Sequence, residues 1–431
     1  MSLDVYLDRR PDEKAKKTRS FAKSAYIVFL SFFVIKILTW GMGYYLAVSG
    51  GSKFNIDNYL LFHHLQFDKR FFDRRNTDFF KLWNYADSEW YLSIAQEGYP
   101  STEQIEKDSA LTGHMYLSTI KESYLRYAFF PLFPGAVSIF LSIFSLEKAA
   151  FAANLMINVF TVIVFLLFTR SYFPDEKESA VLSFFLLLFL FPFSIFYCLY
   201  FPECLFLLLS MSVFIFLKSK KYALMALSGF LLSLTRPNGI FIIIPVLFGL
   251  YVGRESLSGS SARGRILPYL SAFLMPLGFL GYFFFIYLQT GEWSFYSTVN
   301  KIGWQNDFSM IEEHIAQKVH LLLSFPSLPL HSFYSSKVDT MIMLSFAAVI
   351  AGMWFDRKFP RELTLWSAVI WIVPLAAKND LMSFSRYMSV SFPVFLFLGL
   401  RAGWMRFIII AIYATGYLFA LGAIIRYAWL A

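Results

Sequence analysis

The chain has 431 residues, of which 57% are hydrophobic and 16% are charged. Because an ordinary soluble domain carries about 25% charged residues, the composition excludes that class of protein. The apolar residues fall in blocks of roughly 18–22, about the length that a helix needs to cross a 30 Å hydrocarbon layer. The sequence therefore predicts an all-α polytopic membrane protein.

The net charge of +9 is concentrated in short segments before and between the apolar blocks. Short basic loops remain on the cytoplasmic side of a membrane, so this distribution predicts topology and not a nucleic-acid partner. It places residues 1–24 in the cytoplasm as an N-terminal tail. The basic residues that form these clusters are Arg9, Arg10, Lys14, Lys16, Lys17, Arg19, Lys23, Lys218, Lys220, Lys221, Arg254, Arg263, Arg265, Arg357, Lys358, Arg361, Arg401 and Arg406.

Twelve apolar segments follow the tail, and we expect residues 25–431 to form a single membrane domain. A cytoplasmic N-terminus and the positions of the basic loops require an odd number of crossings, so we expect about eleven. Either 129–146, which contains two prolines, is re-entrant, or the chain around Pro192 and Pro202 makes a single crossing. The segments are 25–48, 128–146, 149–169, 179–198, 203–217, 222–236, 238–253, 266–288, 340–355, 363–377, 387–400 and 407–427.

This topology predicts two large extracytoplasmic loops, residues 49–127 and 289–339. Together they contain all six histidines, including the adjacent pair His63 and His64, which cannot place two metal ligands on one helical face. The sequence has no metal-binding or nucleotide-binding motif, so no cofactor is expected. The outer loops also lack an Asn-x-Ser/Thr glycosylation sequon, which favours a prokaryotic inner membrane.

The first outer loop contains the stretch NYADSEWYLSIAQEGYP, in which Asp87 stands among aromatic residues. The spacing predicts a helix over 87–97 with Trp90, Tyr91, Ile94 and Ala95 on one face. We expect that face to lie flat against the bilayer, because Trp and Tyr favour membrane interfaces. Asp87 would then either cap the helix N-terminus or act as a functional carboxylate.

Three further charged residues interrupt apolar surroundings: Glu203 in YFPECLF, Arg236 in LTRPNGI and Arg386 in SFSRYMS. A carboxylate within an apolar run is costly, which makes Glu203 a functional candidate, although it could cap a short helix at the surface. An arginine at the outer interface can bind phosphate through a bidentate fork, or it can anchor a helix by snorkelling.

These stretches resemble the second GPI mannosyltransferase (PIG-V) family and its prokaryotic relatives, members of the GT-C glycosyltransferase superfamily. The resemblance covers about residues 80–395, with the motifs in the family's order. One difference is Ala86, where the family has Trp before the aspartate. The matching elements are Asp87–Tyr91 with Ile94–Tyr99, Ala128–Pro134, Glu203–Phe206, Thr235–Gly239, and Arg386–Tyr387 with Phe392–Pro393.

The resemblance implies a GT-C-like helical bundle that transfers a sugar from a polyprenyl-phosphate donor on the extracytoplasmic face. It implies that Asp87 is the general base of an inverting displacement, and the chemistry suggests Arg386 and Arg236 for the donor phosphate. Metal dependence is not implied. The residues expected to bind substrate are Glu89, Trp90, Tyr91, Glu203 and Tyr387.

Family precedent favours mannose as the sugar, and the acceptor could be a glycolipid, a polysaccharide or a protein. Two other classes of protein remain compatible with the sequence. One is a flippase for lipid-linked sugars, or another transporter, although such proteins commonly contain inverted repeats that this chain lacks. The other is a non-catalytic subunit of a glycosylation complex, for which Ala86 would be the first argument.

Overall fold

The computed structural model describes residues 11–49, 78–103, 122–254, 262–304, 312, 338–377 and 383–425. All regular secondary structure in these ranges is helical. The α-helices are α1 Pro11–Ser49, α2 Ser88–Glu97, α3 Leu132–Ser138, α4 Leu146–Tyr172, α5 Glu178–Phe189, α6 Glu203–Lys218, α7 Tyr222–Ser233, α8 Ile243–Val252, α9 Ala262–Phe273, α10 Leu277–Thr290, α11 Phe295–Trp304, α12 Val338–Phe355, α13 Arg361–Ala377, α14 Phe384–Ser389, α15 Phe392–Arg401 and α16 Met405–Ile425. Short 3-10 helices occupy Lys81–Trp83, Glu122–Ala128, Pro192–Tyr197 and Pro237–Ile242.

Five helical stretches in the described ranges are long and apolar enough to cross a membrane: Phe21–Ser49, Leu146–Tyr172, Gly264–Thr290, Val338–Phe355 and Met405–Ile425. Shorter apolar helices, such as α5, α7 and α15, pack among them. Apolar residues on the long helices are widely exposed, as expected for helices that face lipid. The structure therefore fits a multi-pass helical membrane protein.

The predicted segments differ from the observed helices where prolines occur. Residues 128–146 do not form one helix, because α3 has only seven residues, a length of about 10 Å. Likewise, α5 ends at Phe189, and the 3-10 helix Pro192–Tyr197 follows it. The number of crossings stays a prediction. All six histidines and most of both long polar loops lie outside the described residues.

Helix α6 runs from a buried carboxylate at its start to a basic turn at its end. It begins at the buried Glu203 and ends at Lys218 in a basic turn, a distance of about 24 Å for its 16 residues. Its sides pack against α4 and α7. The helix thus connects a basic turn to the buried polar residues described below.

Helices α7 and α10 approach each other closely at Gly278. A Cβ atom at this position would lie 2.3 Å from the Phe230 carbonyl oxygen and 2.4 Å from the Ser233 hydroxyl. The Ser233 hydroxyl in turn accepts a hydrogen bond from the Phe279 N–H at 3.0 Å. Only glycine allows this backbone contact without displacing one of the helices.

We expect Gly278→Ala to lower the free energy of unfolding by about 1–3 kcal/mol, because overpacking displaces backbone here and not a flexible side chain. Gly281→Ala is the matched control, since a Cβ at Gly281 on the same helix meets nothing within 4 Å. Thermal unfolding of the purified protein in detergent measures both changes. Equal midpoints for the two variants would contradict the predicted close contact.

Candidate functional site

Four charged side chains that are far apart in the sequence meet in one buried cluster. The Arg236 guanidinium lies 3.0 Å from Glu203 Oε1. Arg386 lies between the two carboxylates: its Nε is 3.3 Å from Glu203 Oε1, and its Nη1 donates a hydrogen bond to Asp87 Oδ2, also at 3.3 Å. The cluster therefore contains two carboxylates and two guanidiniums, and Glu203 is shared by both arginines.

The four side chains differ in exposure to solvent. The exposed fraction is 0% for Glu203, 6% for Arg236, 10% for Arg386 and 20% for Asp87. Burial lowers the pKa of Arg386, but the charges of Glu203 and Asp87 outweigh this effect and raise the pKa above its usual value. Arg386 therefore stays charged, and Asp87 is the member most open to a ligand.

Aromatic rings enclose the guanidinium groups. Tyr387 lies under Arg236, with 4.5 Å between the guanidinium carbon and the ring centroid, and it is 5.8 Å from Arg386. Phe196 and Phe201 lie 5.4 and 5.3 Å from the Arg386 guanidinium. Arginine is weakly hydrated and stacks well on aromatic faces, so this shell replaces much of the water that would solvate it.

Asp87 does not cap the helix that it precedes. Its side chain makes no capping hydrogen bond with α2 and instead reaches Arg386. The turn before it is fixed by Ser88, whose hydroxyl accepts a hydrogen bond from the Tyr85 N–H at 2.6 Å. Ala86 adopts a left-handed conformation with φ 47°, so backbone strain helps to direct Asp87. The geometry removes the interpretation of Asp87 as a simple helix cap.

The predicted helix over 87–97 is confirmed as α2, but the expectation that its aromatic face lies against the bilayer is wrong. Trp90 and Tyr91 are buried inside the protein. Trp90 stacks on Phe129 with 6.0 Å between the ring centroids, and Tyr91 packs edge-on against Phe129 and Phe201. Burial raises the pKa of Tyr91 well above its usual value, so it remains a neutral phenol. Helix α2 is therefore amphipathic because its aromatic face packs on protein, not on lipid.

Arg386 lies on the short helix α14, which is held near both ends. At the start, the backbone N–H of Ser385 donates to Asp339 Oδ1 at 2.8 Å, and the Ser385 hydroxyl donates to the same oxygen. At the end, the Tyr197 hydroxyl donates to the Ser389 carbonyl at 2.6 Å. These bonds fix the helix that carries the arginine shared between the carboxylates.

Arg236 is positioned by a close backbone approach. A Cβ at Gly239 would lie 2.3 Å from the Leu232 carbonyl oxygen, so the turn that follows Arg236 requires glycine. The Thr235 hydroxyl donates to the same carbonyl at 2.6 Å. Asn238 is buried, and within the described ranges its amide makes no hydrogen bond.

The structure brings together Asp87, Glu203, Arg236 and Arg386, with Tyr91 and Tyr387 beside them. Trp90 lies one layer behind, against Phe129, and Glu89 is half-buried in the first turn of α2. Sequence reasoning missed Asp339 and Tyr197, which support α14. The one available signal was Asp339, an acidic residue at the edge of an apolar segment.

No model of a known protein family matches this chain, and a search of curated proteins finds no match.

We expect Glu203→Gln to lower the free energy of unfolding by about 3–5 kcal/mol, because it leaves two buried guanidiniums with one carboxylate. Glu178→Gln is the control, since its partner Lys23 is 67% exposed. Loss of that surface pair should cost less than about 1 kcal/mol. Thermal unfolding compares the two, and a Glu203 variant as stable as the Glu178 variant would exclude the buried cluster.

The strain at Ala86 gives a second prediction. Ala86→Gly should be at least as stable as the natural chain, because glycine adopts φ 47° without the penalty of about 1 kcal/mol that a Cβ brings. Ala86→Trp should be clearly less stable, since position 86 is both left-handed and buried. Unfolding midpoints test this pair, and a stable tryptophan variant would mean that the turn can rearrange.

Proposed function

We propose that the protein is a membrane glycosyltransferase of the GT-C type. It would move a sugar from a polyprenyl-phosphate donor to an acceptor hydroxyl on the extracytoplasmic face, with inversion at the anomeric carbon. The proposal rests on one observation: four charged side chains lie together in one cluster, namely Asp87, Glu203, Arg236 and Arg386. Each of them belongs to a different motif of the resemblance to the PIG-V family. By family precedent the sugar is mannose.

The proposed reaction is a direct displacement. The acceptor oxygen forms a bond to the anomeric carbon while the bond to the phosphate oxygen breaks, and the phosphate leaves with the bonding electron pair. Asp87 accepts the hydroxyl proton, a contribution of about 10²–10⁴-fold to the rate. Its exposure, greatest among the four charged side chains, supports this role.

The arginines would stabilise the negative charge that grows on the leaving phosphate. Arg386 is already bound to Asp87 at 3.3 Å, so a donor phosphate would compete with Asp87 for the same guanidinium. We therefore propose that donor binding draws Arg386 away from Asp87 and frees this carboxylate to act as the base. Glu203, enclosed with both arginines, would hold them in place.

The orientation belongs to the same proposal. About eleven crossings would place the N-terminus in the cytoplasm, and the charged cluster would open to the extracytoplasmic side of a prokaryotic inner membrane. Supporting this arrangement, α6 puts Glu203 and the basic residue Lys218 at opposite ends. Basic turns of this kind mark the cytoplasmic side.

We expect Asp87→Asn to reduce sugar transfer at least roughly 100-fold in reconstituted vesicles supplied with polyprenyl-phosphate mannose. Donor affinity should stay unchanged or increase, because asparagine no longer competes as an anion for Arg386. Glu103→Gln, an exposed carboxylate, is the control and should keep full activity. Full transfer by the Asp87 variant would refute the base assignment.

The same assay distinguishes the two other classes of protein. Movement of the intact donor across the vesicle membrane without transfer would indicate a flippase. Absence of both activities in the natural chain, with donor binding retained, would indicate a non-catalytic subunit.

Arg386→Lys should weaken donor binding by about 1–3 kcal/mol, because a point charge cannot reproduce the bidentate guanidinium fork. Binding of a labelled polyprenyl-phosphate sugar to the purified variant measures the change. Arg406→Lys serves as the control, since Arg406 donates to the Gly399 carbonyl at 3.1 Å and makes no contact with the cluster. Unchanged affinity in the Arg386 variant would refute the phosphate role.

A further inference from the structure

One buried cation has no role in the proposed chemistry. Lys36 lies within the apolar part of α1 and is 3% exposed. A lysine inside a membrane-spanning helix is costly, and it persists only where the protein supplies compensating partners. In the described residues, no carboxylate lies within ion-pair distance of its ammonium group. Its partners are therefore dipoles and aromatic rings.

The ammonium of Lys36 binds the turn that precedes Glu203. Its Nζ donates to the Tyr197 carbonyl oxygen at 3.3 Å and to Cys198 Sγ at 3.1 Å. The same carbonyl accepts hydrogen bonds from Asn154 at 3.2 Å and from Asn158 at 2.9 Å, both on α4. Three donors from two helices thus converge on one backbone oxygen.

The Tyr417 hydroxyl and two aromatic rings complete this network. The Tyr417 hydroxyl of α16 lies 3.1 Å from the Thr39 hydroxyl of α1 and 3.5 Å from Cys198 Sγ. The rings of Phe32 and Trp40 lie 5.8 and 6.0 Å from the Lys36 ammonium. The network therefore joins α1, α4 and α16 to the Tyr197–Cys198 backbone.

Tyr197 connects this network to the candidate site. Its hydroxyl donates to the Ser389 carbonyl at the end of α14, the helix that carries Arg386. Its neighbour Phe196 packs on the Arg386 guanidinium. A shift of the Tyr197 backbone would therefore move both a ring beside Arg386 and the hydrogen bond that ends its helix.

We propose that Lys36 is a positioning residue for Arg386, acting through Tyr197. The ammonium fixes the Tyr197 carbonyl, the tyrosine fixes Ser389, and the two together set the guanidinium between Asp87 and Glu203. The effect of Lys36 on donor binding rests on the proposed function. Its effect on the Tyr197–Cys198 turn does not.

The turn can be tested through Cys198, which is buried beside Lys36. In a Cys204→Ser background, Lys36→Met should increase the rate of Cys198 alkylation by N-ethylmaleimide on the order of tenfold, because local opening becomes easier. Asn158→Leu removes a second donor from the same carbonyl and should act in the same direction. Thr169→Val is the control: it is buried on α4, the helix that carries Asn158, and its hydroxyl donates within that helix to the Phe165 carbonyl at 2.7 Å, so it should change the rate far less.

The link to Arg386 is tested by kinetics. Lys36→Met and Asn158→Leu should raise the KM for polyprenyl-phosphate mannose roughly 2- to 30-fold with a smaller change in kcat, and Lys36→Arg should restore part of the loss. Unchanged alkylation and KM in both variants would overturn the proposal. So would Thr169→Val shifting alkylation, KM and the unfolding midpoint equally, since that indicates general loosening. An inactive natural chain would refute the proposed function alone, while alkylation would still decide the role of Lys36 at the turn.

Discussion

The arrangement of the candidate site depends on the complete burial of the Glu203 carboxylate. An ionised carboxylate cannot remain in an apolar interior unless cations come to it, because the loss of its hydration costs several kcal/mol. Two arginines meet this requirement, Arg236 at 3.0 Å and Arg386 at 3.3 Å. Each belongs to a different part of the chain, so one buried charge brings α6, the turn after α7 and α14 to a common point. Asp87 joins through Arg386, which completes the cluster.

The helix and the turn that carry the two arginines are held in place by hydrogen bonds and close backbone contacts. Asp339 and Tyr197 bind the two ends of α14, while the close contact at Gly239 fixes the turn after Arg236. Aromatic rings lie against both guanidiniums and limit the positions that they can adopt. Charges held in this way would need little rearrangement if charge developed on the proposed donor phosphate.

The sequence was informative about the charged residues and much less informative about their surroundings. Glu203, Arg236 and Arg386 were recognisable because a charge in apolar surroundings is costly, and Asp87 was recognisable because it stands among aromatic residues. The face of α2 was recognised from its periodicity, but periodicity cannot tell whether Trp90 meets lipid or Phe129, since both are apolar. Lys36 and Asp339 could not be assigned, because their partners, Tyr197 and Ser385, are far away in the chain and their contacts involve main-chain atoms, which leave no residue pattern. Helix breaks at prolines were visible, yet the number of crossings does not follow from them.

The order of exposure within the cluster has a consequence for its response to ionic strength. Mobile ions screen interactions between solvent-exposed charges and reach buried ones much less. The Glu203–Arg236 pair should therefore be insensitive to salt, whereas the contact between Arg386 and the partly exposed Asp87 should weaken as salt is added. Arg386 consequently contacts both Glu203, whose pairing with Arg236 is shielded from salt, and Asp87, whose interactions salt can screen. The Arg386 guanidinium is thus the point at which added salt could affect the cluster.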